Sequence, residues 1–337
     1  ITEGLVGSEM CIRDSNTMKR TLSNIWSNFG QILGMALLLM PFGGSANVSA
    51  SELNIYSHRQ AFLINPFLEA FTAKTGIKTK VVFASKGLAQ RLQQEGESSP
   101  AVVLTVDIAR LSVYAEKGLF TKVDSEILNS TIPSHLRDAD GYWYGLSIRS
   151  RVIGVSRERV QQGEISSYED LADPKWKGRV CSRPGSHVYN RALVASMIAA
   201  HGKIEAENWA LSVVSNFARR PQGNDRAQVK AIFQGECDVA IMNHYYYGKL
   251  LKSDKAAQRE WANAINIVFA NQGTGERGAH INISGGGVTL HSKNKAKATK
   301  LLEFLVSDEA QALYGKINYE YPCLLYTSPS PRDLRLS

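Results

Sequence analysis

The first part of the chain alternates short apolar runs with amphipathic ones. Residues 53–56 and 78–83 are apolar-rich runs of strand length, and residues 62–75 between them repeat apolar side chains at helical spacing up to Gly76. Strands and helices go on alternating as far as a closing helix at 296–306. This alternation predicts an α/β fold with a parallel sheet whose two faces are covered by helices.

The pattern restarts in the middle of the chain. Strands are predicted at 152–155 and 179–181, and a helix is predicted to open at 168–171. The three glycines at 285–287 predict a turn before a strand at 288–290. With 337 residues, the chain suits two α/β lobes better than a single core.

The two ends differ from the middle. Residues 1–17 and 323–337 lack a periodic apolar pattern and resemble translated adapter sequence, so we expect both to be non-native flanks. Residues 18–50 have the form of an export signal, with a basic start, an apolar run at 32–42 and small residues before position 51. Because that run is too short to span a bilayer, we expect a periplasmic protein with no stable membrane insertion after signal cleavage.

Cysteine and charge add two further expectations. Cys181 and Cys237 are the two cysteines outside the flanks, and in an exported protein they predict a disulfide; two buried free thiols are the alternative. The formal net charge of +8 fits a protein that handles an anion or meets an anionic membrane surface. The chain has no polybasic run with interleaved aromatic residues, which argues against a nucleic-acid partner.

Three consecutive tyrosines, at 245–247, follow the apolar run 239–242 and the pair Asn243-His244. We expect the chain to turn there from strand to helix, with Asn243 at the N-cap position. Neighbouring phenols can converge at such a corner, whereas on a regular strand they would face opposite sides. Converging phenols form a hard oxygen site suited to Fe(III). The alternative is an aromatic patch that packs the helix start.

From about residue 53 to residue 322, the chain resembles periplasmic ferric-iron-binding proteins, the substrate-binding components of bacterial iron ABC importers. The segments that carry the resemblance are Ile55-Tyr56-Ser57-His58-Arg59-Gln60, Leu104-Thr105-Val106-Asp107, Trp143 to Arg151, Asp173 to Gly178, Cys181 to Asn190, and Asn243-His244-Tyr245-Tyr246. The resemblance implies a two-lobed, transferrin-like periplasmic-binding-protein fold of type II, with hinge strands between the lobes. The expected lobes are 51–149 with 272–322, and 150–271. It also implies a monomer that works with an inner-membrane ABC permease.

The same resemblance implies a set of site residues. Fe(III) would be held by Tyr189, Tyr245 and Tyr246, and a synergistic anion, carbonate in many relatives, would lie against Arg149 or Arg151. Tyr247 is expected to pack rather than ligate.

The first lobe departs from many relatives, which have a histidine after the first strand. Gln60 occupies that place here, and His58 lies two residues earlier, so His58 and Gln60 are possible further metal ligands.

Two other functions stay open. A protein of the same fold could bind sulfate, phosphate or an organic acid through Arg149 and Arg151, but this would leave the three tyrosines without a role. An enzyme with His244 or His187 as a base is less well supported. The sequence has no nucleophile–base–orienter set, no His-Glu metal spacing and no phosphate loop.

Overall fold

The computed structural model describes residues 52–324, so the expected flank 1–17 and the export signal 18–50 lie outside the described residues. Within this range, no helix is long and apolar enough to cross a membrane. The nine strands are β1 (Leu53–Ser57), β2 (Thr79–Phe83), β3 (Val102–Thr105), β4 (Tyr144–Ser156), β5 (Val180–Cys181), β6 (Val239–Asn243), β7 (Ile265–Val268), β8 (Ile281–Val288) and β9 (Tyr321–Pro322).

Eleven α-helices connect and cover these strands in the described part of the chain. They are α1 (Ala61–Thr75), α2 (Leu88–Glu95), α3 (Ile108–Glu116), α4 (Glu126–Thr131), α5 (Val188–His201), α6 (Lys203–Ser215), α7 (Asp225–Phe233), α8 (His244–Leu251), α9 (Ala256–Asn263), α10 (Lys295–Leu305) and α11 (Asp308–Leu313). Helix α1 ends as predicted at Gly76, whose φ of 71° is a left-handed conformation that glycine adopts without strain. The helix predicted to open at 168–171 is instead a single 3₁₀ turn, Glu169–Ala172.

One long strand links two groups of strands. The order is β2-β1-β3-β8-β4-β6-β5, with β7 and β9 also pairing with β4. Strand β4 pairs with β8 as far as Ser150 and with β6 from Arg151 onward. The strands on the β8 side belong to a first lobe, and those on the β6 side belong to a second.

The sheet is mixed, so the prediction of a parallel sheet is only partly right. Strands β1, β2 and β3 are parallel neighbours, as are β5 and β6. Strand β8, however, runs antiparallel to both β3 and β4, because the chain re-enters the first lobe from the second and so arrives in the opposite direction.

The prediction of a turn at 285–287 is wrong, because these three glycines lie inside β8. A Cβ atom on Gly285 would lie 2.5 Å from the Tyr144 carbonyl oxygen, and one on Gly287 would lie 2.7 Å from that of Tyr142. On Gly286 it would lie 2.7 Å from a Leu104 methyl group. Close approach of neighbouring backbones, rather than a turn, therefore explains the glycine run.

Each lobe has its own apolar core. The first-lobe core joins β1, β3, α1 and α10, and it includes Phe67, Phe71 and Leu301. Cys323 and Leu324 are also buried there, so packed chain extends two residues into the expected 323–337 flank. The second-lobe core consists of two clusters on opposite sides of β4 and β6, one around Trp176 and one around Met242.

Candidate metal centre

Tyr189 lies in the first turn of α5. The His187 side chain caps this helix by accepting a hydrogen bond from the Tyr189 backbone N–H at 3.2 Å. The two rings also lie edge to face, with centroids 4.6 Å apart. The cap and the ring contact fix the backbone from which the Tyr189 phenol extends.

Tyr245 and Tyr246 lie in the first turn of α8, directly after β6. Asn243 is the N-cap residue, as predicted, but its side chain makes no cap hydrogen bond. The side-chain oxygen Oδ1 of Asn243 instead accepts a hydrogen bond from Arg151 Nη1 at 2.9 Å. The side-chain nitrogen Nδ2 donates to the Tyr245 oxygen at 3.5 Å. Asn243 thus connects the strand-to-helix corner to β4.

The three tyrosines expected to be ligands meet in space. Tyr245 Oη donates to Tyr189 Oη at 3.3 Å, and the Tyr245 and Tyr246 ring centroids are 4.4 Å apart. Tyr247 differs from them: it packs against the Met242 cluster and lines a large apolar groove of about 1320 Å³. Tyr247 therefore lies apart from the contact between Tyr245 and Tyr189.

Burial favours the protonated form of the Tyr245 and Tyr246 phenols. It raises the pKa of Tyr245 well above the ordinary value, and the neighbouring Tyr189 oxygen raises it further. Burial also raises the pKa of Tyr246. A cation that binds these oxygens must therefore displace protons, which a highly charged ion does and a weakly charged one does not.

Three guanidinium groups surround the Tyr189 ring. Their Cζ atoms lie 5.7 Å (Arg149), 5.9 Å (Arg151) and 5.1 Å (Arg183) from the ring centroid. Among the described residues, the carboxylate that pairs with two of them is Asp225, at 2.7 Å from Arg151 and 3.1 Å from Arg183. Positive charge is therefore in excess around this ring, which favours any anion that binds there.

Arg149 and Arg151 differ in their partners, although both were predicted to bind the anion. Arg151 donates to Asp225, to Asn243 and, at 2.7 Å, to Asn190, so its two terminal nitrogens are occupied. Arg149 makes one long hydrogen bond, from Nη2 to the Ile283 carbonyl oxygen at 3.4 Å. The buried Nε atoms of both arginines have no partner between residues 52 and 324, so the two differ at their terminal nitrogens. Arg149 thus has donors to offer a ligand.

A small cavity of about 10 Å³ lies between the two arginines, Tyr189 and Asn282. It has room for about one water-sized group.

The structure does not bring the possible first-lobe ligands to the tyrosines by any described contact. His58 Nε2 is 3.0 Å from Tyr114 Oη, within the first lobe, and burial lowers the pKa of His58 to about 4. Gln60 is exposed at the N-cap position of α1 and makes no side-chain cap.

Sequence reasoning missed the buried Arg59–Glu320 ion pair, which lies beside the site. Arg59 donates to both Glu320 oxygens, at 3.0 and 2.8 Å, and to Ser284 Oγ at 2.5 Å, while Ser147 donates to the same carboxylate. The pair joins the loop after β1 to both long central strands. Because 261 residues separate the two partners, no local sequence pattern could reveal it.

Cys181 and Cys237 form a disulfide with Cα atoms 5.9 Å apart. Cys181 ends β5, whose following loop leads to Tyr189, and Cys237 precedes β6, which leads to Tyr245. The bridge therefore ties together the two segments that present the phenols.

The described residues contain no other cluster of common metal-ligand side chains. Within the range 52–324, no group of three or more His, Cys, Asp or Glu side chains is placed to hold a metal ion. Two lobes sharing one crossover strand, with convergent phenols and guanidinium groups where they meet, are the architecture of a two-lobed solute-binding protein.

Comparison with known proteins supports the same class, a solute-binding protein. The family model described as bacterial extracellular solute-binding protein matches residues 98–333, and the chain belongs to this family. It is 47% identical over 275 residues to iron uptake protein A1 of Synechocystis sp., a match that covers 81% of this chain and 76% of the relative. Members of the family are solute-binding proteins rather than enzymes.

Solved structures confirm the two-lobed type II fold. One is ferric iron-binding protein A of Mannheimia haemolytica in an open conformation, with 46% identity, a TM-score of 0.76, and coverage of 83% of this chain and 88% of that one. Another is a Trichodesmium protein in complex with iron and citrate ligands, with 41% identity, a TM-score of 0.77, and coverage of 83% and 89%.

Proposed function

We propose that this protein captures Fe(III) through the phenolates of Tyr189, Tyr245 and Tyr246. The observation that carries the proposal is the convergence of these phenols, with Tyr245 and Tyr189 oxygens 3.3 Å apart. Hard anionic oxygens suit a hard trivalent ion, and the surrounding arginines favour the phenolate form. Iron uptake and ferric-iron-binding proteins among the relatives support the same cargo.

A synergistic anion, carbonate in the simplest case, would complete the coordination sphere. Arg149 is the better candidate to hold it, because its terminal nitrogens make a single long hydrogen bond while both terminal nitrogens of Arg151 are taken by Asp225 and two asparagines. A guanidinium can give two parallel hydrogen bonds to such an oxyanion. Arg151 would not contact the anion; its hydrogen bonds to Asn243 and Asn190 would position these two residues beside the tyrosines.

Transport follows from closure of the two lobes. Hinge motion near residues 147–151 of β4 and 271–275 would close the lobes over the ion, and the closed form would be recognised by an inner-membrane ABC permease. Export through the segment 18–50 would place the protein, as a monomer, in the periplasm.

The proposal can be tested by loading the metal-free protein with ferric iron. Metal-free protein mixed with a ferric salt and bicarbonate should turn orange-red, because phenolate-to-iron charge transfer absorbs visible light, and iron should stay bound through desalting. Omitting bicarbonate should weaken retention. Protein that stays colourless and loses its iron on desalting would overturn the proposal, and binding of sulfate or phosphate by such protein would favour the oxyanion alternative.

A further inference from the structure

Three consecutive residues near the end of the described chain contact both lobes. Residues 319–321, here called the bridging segment, follow the π-helical turn Tyr314–Asn318, whose first residue packs its ring against Phe67 in the first-lobe core, with centroids 4.4 Å apart. Tyr319 has a φ of 57°, a left-handed conformation that costs free energy at residues other than glycine. Strain of this kind persists only where the surrounding structure holds the residue in place.

Glu320 ties the bridging segment to the first lobe. Its carboxylate accepts hydrogen bonds from both terminal nitrogens of Arg59 and from Ser147. A buried ion pair is costly to break, because either charge would be left without a partner. The middle residue of the segment is therefore held to the loop after β1.

The two tyrosines of the bridging segment contact α8 in the second lobe. The Tyr321 ring stacks on the His244 ring, with centroids 4.3 Å apart and planes 7° from parallel. The Tyr319 side chain lies against Gly248, where a Cβ atom would come within 2.8 Å of the Tyr319 ring. His244 and Gly248 are four residues apart, so they lie on one face of α8. The bridging segment thus packs along the helix face that begins at the strand-to-helix corner.

His244 connects this contact to the proposed iron ligands. It directly precedes Tyr245, and the two rings lie edge to face with centroids 6.0 Å apart. His244 Nδ1 also accepts a hydrogen bond from the Ser150 backbone N–H at 3.1 Å. The rings of Tyr321, His244 and Tyr245 therefore form a continuous series from the bridging segment to the phenol cluster.

We propose that Tyr321 is a positioning residue for the candidate metal centre. By holding His244, it fixes the first turn of α8, in which Tyr245 and Tyr246 lie. Through its neighbour Glu320, it links that turn to the first lobe. The inference rests on the proposed function, because the cargo whose retention Tyr321 affects is ferric iron. Without the stack, the first turn of α8 can shift, and phenols that are held less firmly release iron faster.

The experiment compares iron release from native protein and variants into excess chelator, followed by the loss of the charge-transfer band. An aromatic pair contributes a factor of about two to ten to an equilibrium, so Tyr321→Leu should release iron about fivefold faster and shift the band. Tyr321→Phe should behave like the native protein, because it keeps the stacked ring. Tyr142→Leu is the matched control, since Tyr142 is also half-buried but packs in the first lobe beside Lys122, and it should leave the rate unchanged.

Gly248→Ala is a second test, which adds a group instead of removing one. The new methyl group would press on the Tyr319 ring and push the bridging segment away from α8. Alanine favours a helix more than glycine does, so faster iron release in this variant would not come from a weaker helix. We expect faster release here too.

Three results would overturn the positioning role. The first is a native release rate in both Tyr321→Leu and Gly248→Ala. The second is equal acceleration in Tyr321→Leu and Tyr142→Leu, which would indicate a general loss of stability. The third is equal acceleration in Tyr321→Leu and Tyr321→Phe, which would make the hydroxyl group responsible and not the ring.

Hydrogen exchange of the metal-free protein separates this proposal from the iron proposal, because it needs no cargo. The backbone amides of α8 should exchange faster in Tyr321→Leu than in the native protein and in Tyr321→Phe. Native protein that takes up no iron would reject the iron site alone, and the exchange rates would then decide the role of Tyr321. Equal exchange in all three proteins would overturn that role.

Discussion

Tyr245 donates a hydrogen bond to the oxygen of Tyr189 at 3.3 Å, although 56 residues separate the two in the chain. Each lies in the first turn of its own helix, and the disulfide between Cys181 and Cys237 joins the strand segments that precede these helices. The oxygen pair is therefore held by the second lobe alone. It does not require the lobes to close before the phenols meet.

Substitution of Tyr245 or Tyr246 should impair iron binding, whereas substitution of Tyr247 should not. Tyr245→Phe and Tyr246→Phe remove the proposed phenolate ligands, so each should abolish or shift the charge-transfer band and lower iron affinity by more than about a hundredfold. Tyr247→Phe is the control, because Tyr247 faces the apolar groove, and it should leave the band in place. Visible spectra and chelator competition measure both effects. A band unchanged in the Tyr245 variant would contradict the ligand assignment.

Substitution of the two β4 arginines should have different effects, on bicarbonate dependence for Arg149 and on stability for Arg151. Arg149→Gln should weaken the bicarbonate dependence of iron retention while leaving the free energy of unfolding near the native value. Arg151→Gln removes a buried partner of Asp225 and should destabilise the fold by about 3 kcal/mol or more. Urea unfolding and iron retention with and without bicarbonate separate the two roles. Equal loss of stability in both variants would show that Arg149 is structural.

Loss of the disulfide should lower stability markedly. The bridge spans a separation of 56 residues, and both cysteines are buried. The chain-entropy model gives about 4 kcal/mol for a loop of this size. Urea unfolding of the Cys181→Ser/Cys237→Ser double variant should report a loss of this order. As a check on pairing, peptide mapping of unreduced, denatured protein should find these two cysteines unlabelled by a thiol reagent.

Acid should destabilise the protein through Glu320. The adjacent Arg59 charge overcomes the effect of burial and lowers the pKa of Glu320 from 4.5 to about 2. Because the folded pKa is depressed, this contribution to stability is complete above about pH 4.5 and is lost as the pH falls toward 2.

The free energy of unfolding measured between pH 6 and pH 3 should therefore fall, and fall less steeply in Glu320→Gln. That variant should also be less stable at pH 7, because Arg59 then lacks its counter-ion. The pKa of Glu169 is also lowered to about 2, so the free energy of unfolding of the variant should still fall somewhat with decreasing pH. Identical slopes in the two proteins would argue against a charged Glu320 in the folded state.

Iron binding should release protons. Since burial raises the pKa of both Tyr245 and Tyr246, these phenols are protonated at neutral pH until the metal arrives. About one proton should leave for each ligating phenol. Calorimetry in two buffers of different ionisation enthalpy measures the number, and affinity should rise with pH. A proton count near zero would mean that the tyrosines do not bind as phenolates.

Several elements were predictable because their signals are local. The end of α1 at Gly76 and the strand-to-helix corner at Asn243 follow from residues next to each other in the chain. The glycines at 285–287 were misassigned for the opposite reason. Their role depends on backbones of β3 and β4, which are distant in sequence and become neighbours only in the sheet.

The sequence was enough to predict the α/β character of the protein, oxygen ligands for a metal and, through its resemblance, three candidate tyrosines. These depend on side-chain chemistry and short-range periodicity. Folding places Arg151 in an ion pair with Asp225 and leaves Arg149 without an ion pair in the described part of the chain, which no sequence pattern could show. Partner choice among charged side chains depends on which ones folding brings within a few ångströms, and spacing along the chain does not encode it.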